Sequence, residues 1–273
     1  MYFFHGFPSS RLLAAFLHER AKAAGLALIA SDRPGFGHSS PKPGRTILDW
    51  PSDVAALADC LGHKRFSVLG VSCGGPYALA CAHELPHRVR RAVLVAGMGP
   101  MDVPSIRARQ HPALKLMFAL ARIHPRLIAP FLRLDRRLYT GDVDKALRVL
   151  ARMLTPPDRE LLLAEPKVAA DFLRSMADAY RQGIGAAQQE AALIAAPRGF
   201  RMSNIKVPVH VFQGDHDRHV PPVMGLYLAD SIPFATWHRC PNDGHLSIVW
   251  NQFDEYARLL NGQAGEHRLS SLA

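Results

Sequence analysis

Phe66-Ser67-Val68-Leu69-Gly70-Val71-Ser72-Cys73-Gly74-Gly75-Pro76 joins a strand-length apolar run to a helix start through a glycine-flanked serine. Phe66 to Val71 is a short apolar run of strand length. Pro76 to Glu84 reads as a helix, with proline at its first turn, where a missing N–H costs nothing. Between them Gly70-Val71-Ser72-Cys73-Gly74 spells G-x-S-x-G. With 20 glycines in 273 residues, composition alone yields about 0.08 chance matches, so context has to discriminate. Flanking glycines let a strand turn sharply into a helix, so that the central hydroxyl projects above the sheet edge. A glycine-rich turn with Ser72 as a simple helix cap would have the same local sequence.

Outward from this stretch, strands alternate with helices. Tyr2 to His5, Leu26 to Ala30 and Val89 to Ala96 read as strands, the last with the continuous apolar run of a buried parallel strand. Arg11 to Ala24 and Trp50 to Leu61 read as helices, ended by Gly25 and Gly62. From Pro100 to Met202 only helical patterns occur, including Val143 to Leu154 behind the N-cap Asp142, a start at Thr155-Pro156-Pro157-Asp158, and Lys167 to Gln182. The alternation resumes with strand Val207 to Gln213, helix Pro222 to Ser231, strand Ala235 to Cys240 and helix Leu246 to Leu260. The residues after Gly262 are polar and expected to fray. This order predicts an α/β fold: a mostly parallel, doubly wound sheet built from 1–99 and 203–273, interrupted by a helical insertion at 100–202.

Composition narrows the function classes. The chain is 48% hydrophobic and 21% charged, values of a globular protein rather than a disordered one. No apolar run reaches the ~18–20 residues of a membrane span, and Met1 to Gly6 has no basic n-region of a secretory signal. The net charge is +10, from 26 arginines and 7 lysines against 23 acids. These bases are dispersed, and no basic tail or recognition helix is present, so nucleic acid is not the expected partner. Cys60, Cys73, Cys81 and Cys240 have neither metal-ligand nor redox-pair spacing, and read as reduced thiols of a cytoplasmic protein. No P-loop and no G-x-G-x-x-G after a strand is present, so no cofactor is expected. The expected partner is a small-molecule substrate, and the expected state a monomer or homodimer.

A serine hydroxyl becomes a nucleophile only when a base takes its proton, and the base must be oriented by an acid. Two segments downstream of predicted strands carry such groups: Gly214-Asp215-His216-Asp217 and Asn242-Asp243-Gly244-His245. Open α/β sheets gather their sites at these strand ends.

Five motifs in order make the resemblance specific. His5-Gly6-Phe7-Pro8, Asp32-Arg33-Pro34-Gly35-Phe36-Gly37-His38-Ser39, the Gly70 to Gly74 elbow, Gly214-x-x-Asp217-x-x-Val220-Pro221 and Gly244-His245 resemble those of the α/β-hydrolase superfamily, in particular its capped, carboxylesterase-like serine hydrolases. The resemblance implies Ser72 as nucleophile, Asp217 as acid ahead of Asp215 and Asp102, and His245 as base. It also implies an oxyanion hole from the backbone N–H groups of Phe7 and Cys73. It implies neither cofactor nor metal, and makes 100–202 a helical cap. Cys73 is a rival nucleophile on chemistry alone, but Ser72 holds the central position. His216, His219 and His238 are expected at the surface or behind the site, and His5 as a brace for its loop.

A serine at the elbow, where epoxide and haloalkane hydrolases of similar fold place an aspartate, points to acyl transfer. The expected reaction is ester hydrolysis through an acyl-enzyme. The alternatives are C–C bond or amide hydrolysis, as in an aminopeptidase, and a non-catalytic ligand-binding protein. The net positive insertion disfavours a cationic substrate, with Glu160, Glu165 and Glu190 as the residues able to reverse that. Leu116, Met117, Phe118 and Leu120 are candidates either to line a pocket or to pack helices. Relatives of this kind begin with two further strands. Without that hairpin the Leu26 to Ala30 strand becomes an exposed edge, prone to pairing or poor solubility. The natural product is therefore expected to start about twenty residues or more upstream, the length of two strands and a turn.

Overall fold

A computed structural model describes residues 1–262, so the polar tail lies outside the described residues. Six parallel strands form one sheet in the order β2-β1-β3-β4-β5-β6: β1 (Tyr2–Phe4), β2 (Ile29–Ala30), β3 (Phe66–Val71), β4 (Val89–Val95), β5 (Val209–Gly214) and β6 (Ala235–Cys240). Alternate residues of each strand feed opposite faces, as the period of two requires. Tyr2, Phe4, Val68, Leu94 and Val211 belong to one buried cluster, and Phe3, Leu69, Val71, Val93 and Phe212 to the other. The sheet is therefore covered on both sides. Helices α2 (Trp50–Cys60), α3 (Gly75–Glu84) and α11 (Pro222–Ser231) pack into the first cluster; α1 (His18–Ala23), α12 (Ser247–Asn251) and α13 (Phe253–Leu260) pack into the second.

Between β4 and β5 lie α4 (Pro104–Ala108), α5 (Pro112–Ile123), α6 (Ala129–Tyr139), α7 (Val143–Met153), α8 (Pro156–Ala164), α9 (Pro166–Ala179) and α10 (Gly185–Ala195), with no strand among the described residues. No helix of the described chain is long and apolar enough to cross a membrane.

Several element ends differ from the sequence reading by one to three residues, and four differences bear on the architecture. The Arg11 to Ala24 helix begins as a 3-10 turn over Arg11–Leu17 and becomes α-helical only at His18. Its buried residues Leu13, Ala14, Phe16 and Leu17 pair at a spacing of three, which a 3-10 helix stacks on one face. The Val207 strand starts at Val209, because Pro208 has no N–H to give the ladder. The last helix breaks at Gln252, where the Asn251 and Gln252 amides each donate to the buried Asp243 carboxylate, at 2.7 Å. The strand read over Leu26 to Ala30 pairs only through Ile29 and Ala30, and it is the edge of the described sheet.

A buried ionic cluster joins the insertion to the core. Glu190 of α10 has no exposed surface. It forms ion pairs with Arg33 at 2.9 Å and Arg45 at 2.6 Å, and accepts from the Tyr77 hydroxyl at 2.8 Å. Burial pushes this carboxyl up, but Arg33 and Arg45 outweigh it and hold it below its ordinary value. Glu190→Ala would leave two guanidinium groups buried without a counter-ion. The expected cost is about 3–5 kcal/mol, seen as a fall of roughly 10 °C in the thermal midpoint. A midpoint within 2 °C of the parent would contradict this account of the cluster.

Candidate active site

All the candidate residues lie at the carboxyl ends of parallel strands: the His5 loop after β1, Ser72 after β3, Asp217 after β5 and His245 after β6. This is the edge where an open α/β sheet leaves a crevice.

Ser72 has φ +54°, a left-handed conformation rare for a residue with a side chain. The elbow depends on the glycines beside it. A Cβ on Gly70 would stand 2.6 Å from the Gly74 carbonyl oxygen, and one on Gly74 would stand 2.1 Å from that of Phe4. Ser72 is thus held in a strained turn by close backbone approach on both sides. His245 Nε2 lies 3.1 Å from Ser72 Oγ, and His245 Nδ1 lies 2.8 Å from Asp217 Oδ2. Asp217 is nearly fully buried and is fixed from three further directions. The N–H groups of His219 and Val220 each donate to its Oδ1 at 2.8 Å, and the Gln213 amide donates to Oδ2 at 3.3 Å.

Burial pulls the His245 imidazole down, but the Asp217 charge and hydrogen bond, helped by Asp158, more than offset it. Its pKa is raised above the ordinary 6.5. The ring of His219 lies 5.0 Å from that of His245, and burial pushes it down to about 4, so it is neutral near pH 7. Donor atoms of Asp217, His219 and His245 fall within 4.8 Å of one another. Two of the three are bonded to each other, so the group reads as a hydrogen-bonded chain rather than a coordination sphere.

The rival candidates are engaged in other contacts or held protonated. Asp215 pairs with the exposed Arg239 at 2.9 Å. Asp102 acts on Arg198. The Cys73 thiol is pushed up to about 12, mainly by burial, and stays protonated. His5 is fully buried; its Nδ1 bonds the Gly6 carbonyl at 3.0 Å, and its Nε2 accepts from the Arg33 N–H at 3.3 Å. The Arg33 guanidinium donates to the carbonyls of His5 and Gly6, so the loop carrying Phe7 is braced from behind. A Cβ on Gly6 would sit 3.4 Å from that of Ser72, which places this loop directly beside the elbow. Sequence reading missed Arg33, although it stands in the quoted Asp32 to Ser39 motif.

A cleft of about 1280 Å³, its open mouth included, lies above Ser72 and His245. Leu13, Phe16, Met117, Phe118, Phe131 and Phe172 are among its mostly apolar lining residues. Met117 and Phe118 therefore line the cleft as well as pack, whereas Leu116 is 60% exposed. Glu160, Glu165 and Glu190 do not line it, and Glu190 is spent on two arginines. Asp135 is the only acid of the described lining, and no lysine or arginine belongs to it. Burial pushes Asp135 up to about 6, although the Tyr180 hydroxyl donates to it at 2.5 Å.

Comparison with known proteins agrees with this architecture. The chain is 27% identical over 241 residues to a 2-hydroxy-6-oxononadienedioate/2-hydroxy-6-oxononatrienedioate hydrolase of Pseudomonas putida, covering 87% of this chain and 77% of that one. It is 27% identical over 243 residues to a 2-hydroxy-6-oxo-6-phenylhexa-2,4-dienoate hydrolase of Burkholderia cepacia, covering 87% and 76%. Among solved structures, an esterase from Thermogutta terrifontis superposes with a TM-score of 0.67 at 21% identity, over 96% of this chain and 87% of that one. The sequence model of the alpha/beta hydrolase fold matches residues 1–252, and the chain belongs to that family.

Proposed function

We propose that the chain is a cofactor-free serine hydrolase that cleaves a C–C bond beside a ketone, with residues 100–202 acting as a cap over 1–99 and 203–273. The carrying observation is the continuous Ser72–His245–Asp217 hydrogen-bond chain below an apolar cleft. The bond type rests on the relatives, which are named as hydrolases of 6-oxo dienoates. It replaces the ester expected from the sequence, because a serine elbow suits any electrophilic carbonyl carbon and does not choose the leaving group.

Ser72 Oγ adds to the ketone carbon while His245 Nε2 takes its proton. The N–H groups of Phe7 and Cys73 receive the oxyanion. The substrate's dienol must first ketonise, its 2-hydroxyl proton passing to the carbon beside the ketone; collapse of the adduct then breaks the C–C bond, and the leaving electron pair, delocalised as a dienolate, takes the proton from His245. Water, deprotonated by His245, then hydrolyses the acyl-Ser72 ester to a carboxylic acid.

Since the base must be neutral and its pKa is raised, kcat/KM should climb with pH along a limb centred above 6.5. A limb centred below 6 would contradict the assignment of that limb to His245.

A specific observation favours ester hydrolysis as a second reading. An anionic dienoate entering the described lining meets Asp135 and no cation, a costly desolvation. A neutral apolar ester meets no such penalty. The two separate in one comparison: kcat/KM for 2-hydroxy-6-oxo-6-phenylhexa-2,4-dienoate against p-nitrophenyl butyrate. The first reading expects the dienoate to lead by at least about tenfold, roughly 1.4 kcal/mol in transition-state binding. The opposite ranking selects the ester. Turnover of neither, with strong thermal stabilisation by an apolar ligand, would replace both with a binding protein.

A further inference from the structure

We propose that Asp158, on α8 of the helical insertion, is a positioning residue for His245: its carboxylate fixes the backbone of residues 245 to 247 and so aims the imidazole at Ser72. The proposal rests on the reading of Ser72, His245 and Asp217 given above.

Asp158 has no exposed surface. Its Oδ2 accepts from the His245 N–H at 2.9 Å and from the Thr155 hydroxyl at 3.0 Å. Its Oδ1 accepts from the N–H groups of Leu246 at 2.9 Å and Ser247 at 2.8 Å, and from the Ser247 hydroxyl at 2.9 Å. One side chain thus ties down three consecutive backbone groups, beginning with that of the base. Such a cap normally comes from the residue just before its own helix; this one arrives from a segment 87 residues earlier in the chain. No lysine or arginine pairs with Asp158 among the described ion pairs, so the loop itself supplies its compensation. Burial pushes the carboxyl up, and the Ser247 and His245 interactions hold it below its ordinary value, so it stays charged near pH 7.

Gly244 is shaped to this contact. A Cβ there would stand 2.5 Å from both Asp158 Oδ1 and Thr155 Oγ1. The glycine ahead of His245 therefore admits the carboxylate, a reason that the Gly-His pair alone does not reveal. A consequence is that the placement of α8 and the aim of the base are mechanically joined.

The charged and titratable groups facing His245 are Asp217 from the loop after β5, the neutral His219 beside it, and Asp158 from α8. Removing the Asp158 charge lowers the His245 pKa. That shift reports the Asp158 charge at the ring; a fall in kcat with KM kept reports its hold on the backbone of residues 245 to 247.

The test is Asp158→Asn, which keeps the shape and one acceptor oxygen, together with Asp158→Ala. The His245 ring is titrated by NMR, its signal identified by loss in His245→Gln, and kcat and KM are measured against pH. Asp158→Asn should lower the His245 midpoint by about half to one pH unit. It should also reduce kcat by about 10- to 100-fold, with KM within about threefold. An unchanged midpoint in folded Asp158→Asn, or an unchanged kcat, would overturn the proposal. If Asp158→Ala does not fold, the Asn variant alone decides. The NMR titration needs no substrate, so it judges Asp158 even if Ser72→Ala were to keep activity and remove the nucleophile assignment.

Discussion

Ser72→Ala should lower kcat by roughly 10⁴–10⁶ and leave the fold intact. The substitution keeps the Cβ, so it preserves the contact with the His5-Gly6-Phe7 loop and adds no atom to the crowded elbow. It removes the hydroxyl oxygen that lies 3.1 Å from His245 Nε2. The remaining activity would come from the oxyanion donors and from binding, which act without the nucleophile. Cys73→Ala should instead stay within about tenfold of the parent, because its expected contribution is a backbone N–H and its thiol is buried and protonated. Steady-state kinetics on both variants, with thermal midpoints alongside, check the pair. Comparable losses in the two would contradict the assignment.

Asp217→Asn should cost about 10³–10⁴ in kcat with little change in stability. The Asn oxygen can still accept from the His219 and Val220 N–H groups, which anchor that side of the side chain. Its amide then presents N–H to His245 Nδ1. That nitrogen becomes an acceptor, the proton moves to Nε2, and the ring can no longer take one from Ser72. The variant also loses the charge that raises the His245 pKa. Asp215→Asn should change kcat less than about threefold, because its partner is the exposed Arg239. Swapped effects would place the acid two residues earlier than proposed.

The sheet was largely legible because its strands are local signals: short apolar runs closed by Gly, Pro and Asp. The elbow was legible for the same reason, since Gly70 and Gly74 stand where the backbone closes on itself. The choice of Ser72, Asp217 and His245 came from the resemblance to the α/β-hydrolase motifs; strand order alone left Asp215 and Asp102 open as the acid. What stayed hidden is tertiary. Glu190 looks like any helix-face carboxylate until Arg33 and Arg45 arrive from 157 and 145 residues away. Asp158 looked like part of a helix start, and its five acceptor contacts include four with residues 245 to 247. The 3-10 turn at Arg11–Leu17 shares its apolar spacing with an α-helix, so periodicity alone does not separate them. The bond to be cleaved depends on the cleft, whose walls come from seven stretches of chain or more, and no local motif encodes it.

The most direct test of the central claim is covalent labelling by a fluorophosphonate, followed by peptide mapping. The reagent reports an activated serine without requiring the natural substrate. The account predicts one label per chain, on Ser72, slowed at least a hundredfold in His245→Ala and absent in Ser72→Ala. A label on Cys73, or labelling of Ser72 at the same rate in His245→Ala, would contradict it.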